Sequence, residues 1–291
     1  MCRLFGMSAG RELVSATFWL LEAPDSLARQ SRREPDGTGL GTFDADGRPR
    51  VSKQPLAAYE DQCFAREARE VSSRTFVAHV RYASTGAVSL QNTHPFEIAD
   101  RLFAHNGVIG ELERLEHELG DASGLVHGDT DSERFFALIS KYIGETGEIG
   151  EAIVRASRWI ADQLPVFALN LVLSTASELW ALRYPDVHEL HVLRRAAGGY
   201  SGRRHLEQAS ARSSVRVRSG DLARRPAVVV ASEPMDEDPG WWALEPGQLL
   251  HVDRDLRVTV THPLPHAPAH PLTLAELGPK GTASQAPAAP G

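Results

Sequence analysis

Cysteine is scarce in this chain: among 291 residues only Cys2 and Cys63 occur. Two thiols cannot make a disulfide framework, and a reducing, cytoplasmic setting is expected. Long apolar runs are missing as well. None approaches the ~18–20 residues that a bilayer-spanning helix needs, so no membrane partner is expected. Charged residues interrupt the first thirty positions, which excludes a secretory signal of the usual form. Positive charge is not in excess. The net charge of −7 argues against a nucleic-acid footprint, which is normally basic. The glycine-rich stretch at 37–41 lacks Gly-x-Gly-x-x-Gly spacing and leads into a strand, so it does not read as a phosphate or dinucleotide loop. What remains, 42% hydrophobic and 24% charged residues, is an ordinary globular composition for one large domain or two small ones.

Periodicity outlines the elements. Apolar or alternating runs predict strands over 4–9, 50–52, 75–80 and 102–106, and later over 168–173, 179–183, 187–193, 227–231 and 248–252, and the glycine-alternating stretch 36–43 is read as leading into a further strand. Helical spacing marks 12–21, 132–143 and 149–164, and 60–67 is helix-like. Asp131-Ser132-Glu133 suits a helix start. Strands, then helices, then strands again suggest sheets packed together with helices outside, rather than a doubly wound parallel sheet. From His262 the chain turns rich in Pro, Ala and His. Residues 264–291 are expected to form a flexible tail, leaving 2–263 as the folded domain. Prolines separate His262, His266 and His270, so no metal site is assigned there. Cys63 reads as a structural thiol.

Cys2 directly follows Met1. Trimming of that methionine would start the chain with a thiol and a free α-amine on one residue. The two groups titrate near ~8.5 and ~7.7–8.0, so both are poised around neutral pH. A terminal amine beside its own side chain can act as the base that activates it. Three further clusters could carry chemistry. They are His79-Val80-Arg81-Tyr82-Ala83-Ser84-Thr85-Gly86, then Asn92-Thr93-His94-Pro95 with Ala104-His105-Asn106-Gly107, and Gly128-Asp129-Thr130-Asp131-Ser132-Glu133. Singly, each has a structural reading: a surface charge, a turn, a helix cap.

In this order and spacing, with Cys2, they resemble the class II glutamine amidotransferase domain, an N-terminal-nucleophile hydrolase family. That family combines an N-terminal cysteine, His-x-Arg-aromatic-Ala-Thr, Asn-x-His-Pro about ten residues before His-Asn-Gly, and Thr-Asp-x-Glu at a helix start. The resemblance is closest from Cys2 to about Glu133. It continues more loosely to Val230-Ala231-Ser232-Glu233-Pro234, where it is similar to the stand-alone branch that includes the γ-glutamyl hydrolase of ergothioneine biosynthesis. It implies an α+β fold, a four-layer αββα sandwich of two mainly antiparallel sheets, and no cofactor or metal.

The resemblance also implies roles. Cys2 would attack a γ-amide and form a γ-glutamyl thioester. Asn106 and Gly107 would form the oxyanion hole. Arg81 would grip the α-carboxylate and Asp131 the α-ammonium, with Tyr82 as a wall and Ser84 as a hydroxyl contact. Ser84 stands where the family usually has threonine, and Thr85 where histidine is common, so Thr85 is left without a role. Asp36 and the histidines at 79, 94 and 105 are read as framework. After Asp253 too little chain remains for a second large catalytic domain. Three outcomes stay open: water accepts the glutamyl group from a small-molecule substrate, ammonia passes to a separate synthase partner, or the domain binds glutamine without turnover.

Overall fold

The computed structural model describes residues 2–82, 87–197 and 225–285. One sheet is built from β1 (Arg3–Ser8), β2 (Gly37–Phe43), β3 (Pro49–Gln54), β4 (Thr75–Arg81), β9 (His191–Arg195), β10 (Ala227–Ala231) and β11 (Trp241–Ala243). Its order is β11-β9-β10-β1-β4-β2-β3. The second holds β5 (Phe96–Ile98), β6 (Arg101–Ile109), β7 (Pro165–Ser174), β8 (Leu179–Leu182), β12 (Leu249–Val252) and β13 (Val258–Thr261), in the order β13-β12-β8-β7-β6-β5. Every pairing on these two paths is antiparallel. A two-residue strand, β14 (His270–Pro271), adds to β7 in parallel.

Side chains alternate across each strand, so each sheet has two apolar faces to cover. Leu4, Val77 and Val230 of the first sheet meet Leu102, Ala104 and Val172 of the second in a buried core between them. Their neighbours face outward. Phe5, Met7, Phe76 and Ala78 are covered by a helical turn at Phe18–Glu22 and by α2 (Gln62–Glu70), through Phe18, Trp19, Phe64 and Ala68. The short α1 (Leu27–Gln30) adds Leu27 to the same layer. On the far side α3 (Leu112–Leu119), α4 (Asp131–Thr146) and α5 (Ile149–Gln163) cover Phe103, Leu171 and Leu173 with Leu115, Phe135, Phe136, Ile153 and Ile160. The four-layer αββα sandwich follows directly from this alternation.

Two expectations differ from the structure. The helix expected over 12–21 is confined to Phe18–Glu22. Val14 instead makes a two-way backbone bridge with Ser73, with hydrogen bonds of 3.1 and 3.0 Å. Tertiary pairing overrides the local apolar spacing there. The stretch from 264, expected as a flexible tail, carries structure as far as Gln285, the end of α6 (Gly278–Gln285). Leu264 is in the core, Leu272 N–H donates to Val166 O at 2.8 Å, and Leu272, Leu274 and Leu277 pack on Val108 and Phe167. Prolines rule out a long helix but not a strand added at a sheet's open position.

Candidate active site

Cys2 sits immediately before β1, at one end of the gap between the sheets, and is 7% exposed. β4 runs antiparallel to β1, so its last residue, Arg81, and the following Tyr82 arrive at the same end. Tyr82 N–H donates to Cys2 Sγ at 3.2 Å, and the thiol donates to Tyr82 O at 3.4 Å. Asn106 reaches across from β6 in the other sheet. Its Nδ2 donates to the Cys2 carbonyl at 3.1 Å, and its Oδ1 is buried without a hydrogen-bond partner among the described residues.

Gly107 follows, and its backbone orientation can be worked out from the ladder. Leu169, its cross-strand neighbour on β7, gives its N–H to Tyr184 O at 2.7 Å. The Gly107–Leu169 pair is therefore of the non-hydrogen-bonded kind, and Gly107 N–H points away from β7. On that side β5 pairs only with Arg101–Phe103, so the edge beyond it is open to the cleft. No other residue fits here, because a Cβ on Gly107 would strike the Ala168 carbonyl.

Asp131 is the first residue of α4 and is 3% exposed. Thr130 caps the helix by accepting Glu133 N–H at 3.2 Å. The Asp131 carboxylate accepts from Ile109 N–H at 2.9 Å and from Ser132 N–H at 3.0 Å, which fixes it against the end of β6. Arg81, 4% exposed, donates to Ala87 O at 3.2 Å. Burial lowers its affinity for a proton, and the charges of Cys2, Asp36 and Asp131 act the other way. Cys2, Arg81, Tyr82, Gly107 and Asp131 thus line one small cleft. Ser84 lies outside the described residues.

The histidines are closer to the cleft than a framework role suggests. His94 and His105 line it, together with Thr130 and Ser132. His105 Nε2–H donates to Ala168 O at 3.2 Å, so Nδ1 accepts the Ser132 hydroxyl at 2.9 Å. The His79 and His94 rings pack at a tilt, with centroids 4.2 Å apart and planes 36° from parallel. Burial drives the His79 pKa down to about 3, with the Arg81 charge adding to the effect. His94 is held well below its usual range for the same first reason. All three histidines are neutral near pH 7. Their place in the three His-containing motifs was the available sequence signal.

Residues 1–273 match the sequence profile of the family described as glutamine amidotransferases class-II. The chain belongs to that family. A γ-glutamyl-hercynylcysteine sulfoxide hydrolase of Mycobacterium tuberculosis is 30% identical over 262 residues, covering 87% of this chain and 93% of the relative. An uncharacterised protein of Methanocaldococcus jannaschii is likewise 30% identical over 262 residues, covering 86% of this chain and 68% of its own. Among solved structures, this class II chain superposes on the glutamine phosphoribosylpyrophosphate amidotransferase of B. subtilis with a TM-score of 0.61 at 20% identity. That match covers 91% of this chain and 50% of the other, so the class II domain here spans about half of that enzyme's length. A glutamine aminotransferase class-II domain protein from Silicibacter pomeroyi gives 0.59 at 21% identity, covering 92% of this chain and 100% of that one. At these identities the structural likenesses speak to the fold alone, the two-sheet sandwich described above.

Proposed function

We propose that this class II chain is an amidohydrolase that releases glutamate from glutamine or a γ-glutamyl amide, with Cys2 as its N-terminal nucleophile. The observation that carries the reading is the convergence of Cys2, Asn106 and Gly107 from two sheets on a cleft that also holds Arg81 and Asp131. Removal of Met1 frees the Cys2 α-amine. Burial pushes the Cys2 thiol up, and of the neighbours Tyr82 N–H works against this, Glu34 with it, and Arg81 against it. A thiol held protonated needs a base, and the α-amine of the same residue supplies one.

The amine takes the thiol proton while Sγ bonds to the γ-carbonyl carbon. Negative charge moves to the carbonyl oxygen, where Asn106 Nδ2 and Gly107 N–H are the donors. Collapse breaks the C–N bond, and the α-ammonium returns the proton to the departing nitrogen. Water then attacks the γ-glutamyl thioester, with the amine again as base, giving glutamate and free Cys2. Arg81 holds the α-carboxylate through two parallel hydrogen bonds, Asp131 the α-ammonium, Tyr82 forms a wall, and Ser84 adds a hydroxyl.

Hydrolysis is favoured over ammonia delivery because the Mycobacterium tuberculosis relative, matched over 93% of its length, is by name a hydrolase. The second reading, a glutaminase feeding a separate synthase, draws on the fold shared with half of the B. subtilis amidotransferase chain. The test is glutamate release from a panel of γ-glutamyl amides, with intact mass measured on the active protein. Cys2→Ala should bind substrate and release no glutamate. Unchanged release by Cys2→Ala, or an active species retaining Met1, would refute the mechanism. Binding of glutamine by wild type with no turnover of any amide would point to a silent binding domain.

A further inference from the structure

Asn92 belongs to the Asn-x-His-Pro motif, yet the reaction above gives it no task. It is 1% exposed, and its side-chain bonds run to two segments that adjoin cleft residues, one at Ala87 and one at Asp129. Its Nδ2 donates to Ala87 O at 3.1 Å, the same carbonyl that accepts from Arg81 at 3.2 Å. Its Oδ1 accepts Asp129 N–H at 2.9 Å, and Nδ2 also lies 3.5 Å from Asp129 Oδ2. Asp129 stands two residues before Asp131. The intervening turn is stiff, since Thr130 caps Glu133 N–H and Glu133 Oε2 accepts Gly128 N–H at 2.6 Å. A Cβ on Gly128 would collide with Asn92 Oδ1, so the turn is built to fit this amide closely.

We infer that Asn92 is a positioning residue that sets the separation between Arg81 and Asp131, and through it the selection of donors carrying both an α-carboxylate and an α-ammonium. The inference rests on the reading of the site given above. One amide bridges the carbonyl that holds Arg81 and the backbone that leads to Asp131. The bridge itself touches neither substrate nor Cys2. Its loss should therefore weaken capture of a two-ended ligand and leave the thiol's chemistry intact. A donor that uses only one of the two charged groups should not sense the change.

Asn92→Asp keeps the side chain's shape and its acceptor for Asp129 N–H, but loses the donated bonds and sets a carboxylate beside Asp129. Kinetics on L-glutamine should show KM raised on the order of tenfold, the equivalent of about one strong hydrogen bond, with kcat within about twofold. Alkylation of Cys2 by iodoacetamide should keep its wild-type rate. The inhibition constant of 4-carbamoylbutanoate, which lacks the α-amine, should move less than about twofold. Asp129→Ala, at an exposed position, provides a second variant with a smaller shift in the same direction. Equal losses in kcat and KM, or a matching shift for 4-carbamoylbutanoate, would overturn the positioning role. A wild-type protein without turnover of any γ-glutamyl amide would instead overturn the reading of the site on which it rests.

Discussion

Acid should destabilise this fold through its buried histidines, and His79, packed against His94, allows the effect to be sized. Folded, its pKa lies at about 3, against an ordinary value of 6.5. A neutral folded imidazole and a protonated unfolded one mean that the unfolded state binds more protons between those two values. Stability contributed by His79 is thus fully present above pH 6.5 and is lost as pH falls toward 3. At about 1.4 kcal/mol per pH unit, a drop to about pH 4.5 crosses two units of this window and costs roughly 3 kcal/mol. His94 acts in the same direction. Buried Glu34 acts oppositely, because burial raises its pKa and its protonated form is the one the fold favours. A difference between variants separates the terms. Urea unfolding followed by tryptophan fluorescence should show wild type losing stability steeply from about pH 7.5 to about pH 4.5. His79→Phe keeps a ring against His94 and carries no proton, so its loss over the same interval should be smaller by roughly 3 kcal/mol. Parallel curves for the two proteins would refute the assignment of that proton uptake to His79.

Two other substitutions probe different parts of the molecule. Asn106→Ala removes the side-chain donor proposed for the oxyanion and should lower kcat by about 10²–10³, with far-ultraviolet circular dichroism unchanged; a loss below about tenfold would remove Asn106 from that role. Arg3, fully buried, lies 2.6 Å from Glu233 and 3.6 Å from Glu34, itself only 2% exposed. Arg3→Met would take the buried cation away from the Glu34 carboxylate and should destabilise the fold by about 3–5 kcal/mol in urea titrations at neutral pH, whereas an unchanged midpoint would show that the pair carries no net weight.

Much of the architecture is legible because alternation and helical spacing agree with burial. The run around Thr75–Arg81 reads as a strand and is one, and the start of α4 is announced by Thr130, Asp131 and Glu133. Where tertiary contacts decide, local pattern misleads. Val14 pairs with Ser73 across 59 residues of chain rather than joining a helix, and the proline-rich end finds an open place beside β7. The site is legible only as a set of motifs in order. No local spacing shows that Asn106 will bond to Cys2 across 104 positions of sequence. Asn92, visible in its motif, gives no hint of its bridge to Asp129 until both loops are seen side by side.

The hydrogen bond from Asn106 to the Cys2 carbonyl joins residues carried by opposite halves of the sandwich. In the proposed reaction the spacing between the sheets at this end is therefore also a catalytic distance, set by Leu4, Val77, Ala104 and Val172 packed behind it. The apolar filling of the sandwich acts as a gauge block for the chemistry. A loosening too small to unfold the protein would still part Cys2 from Asn106.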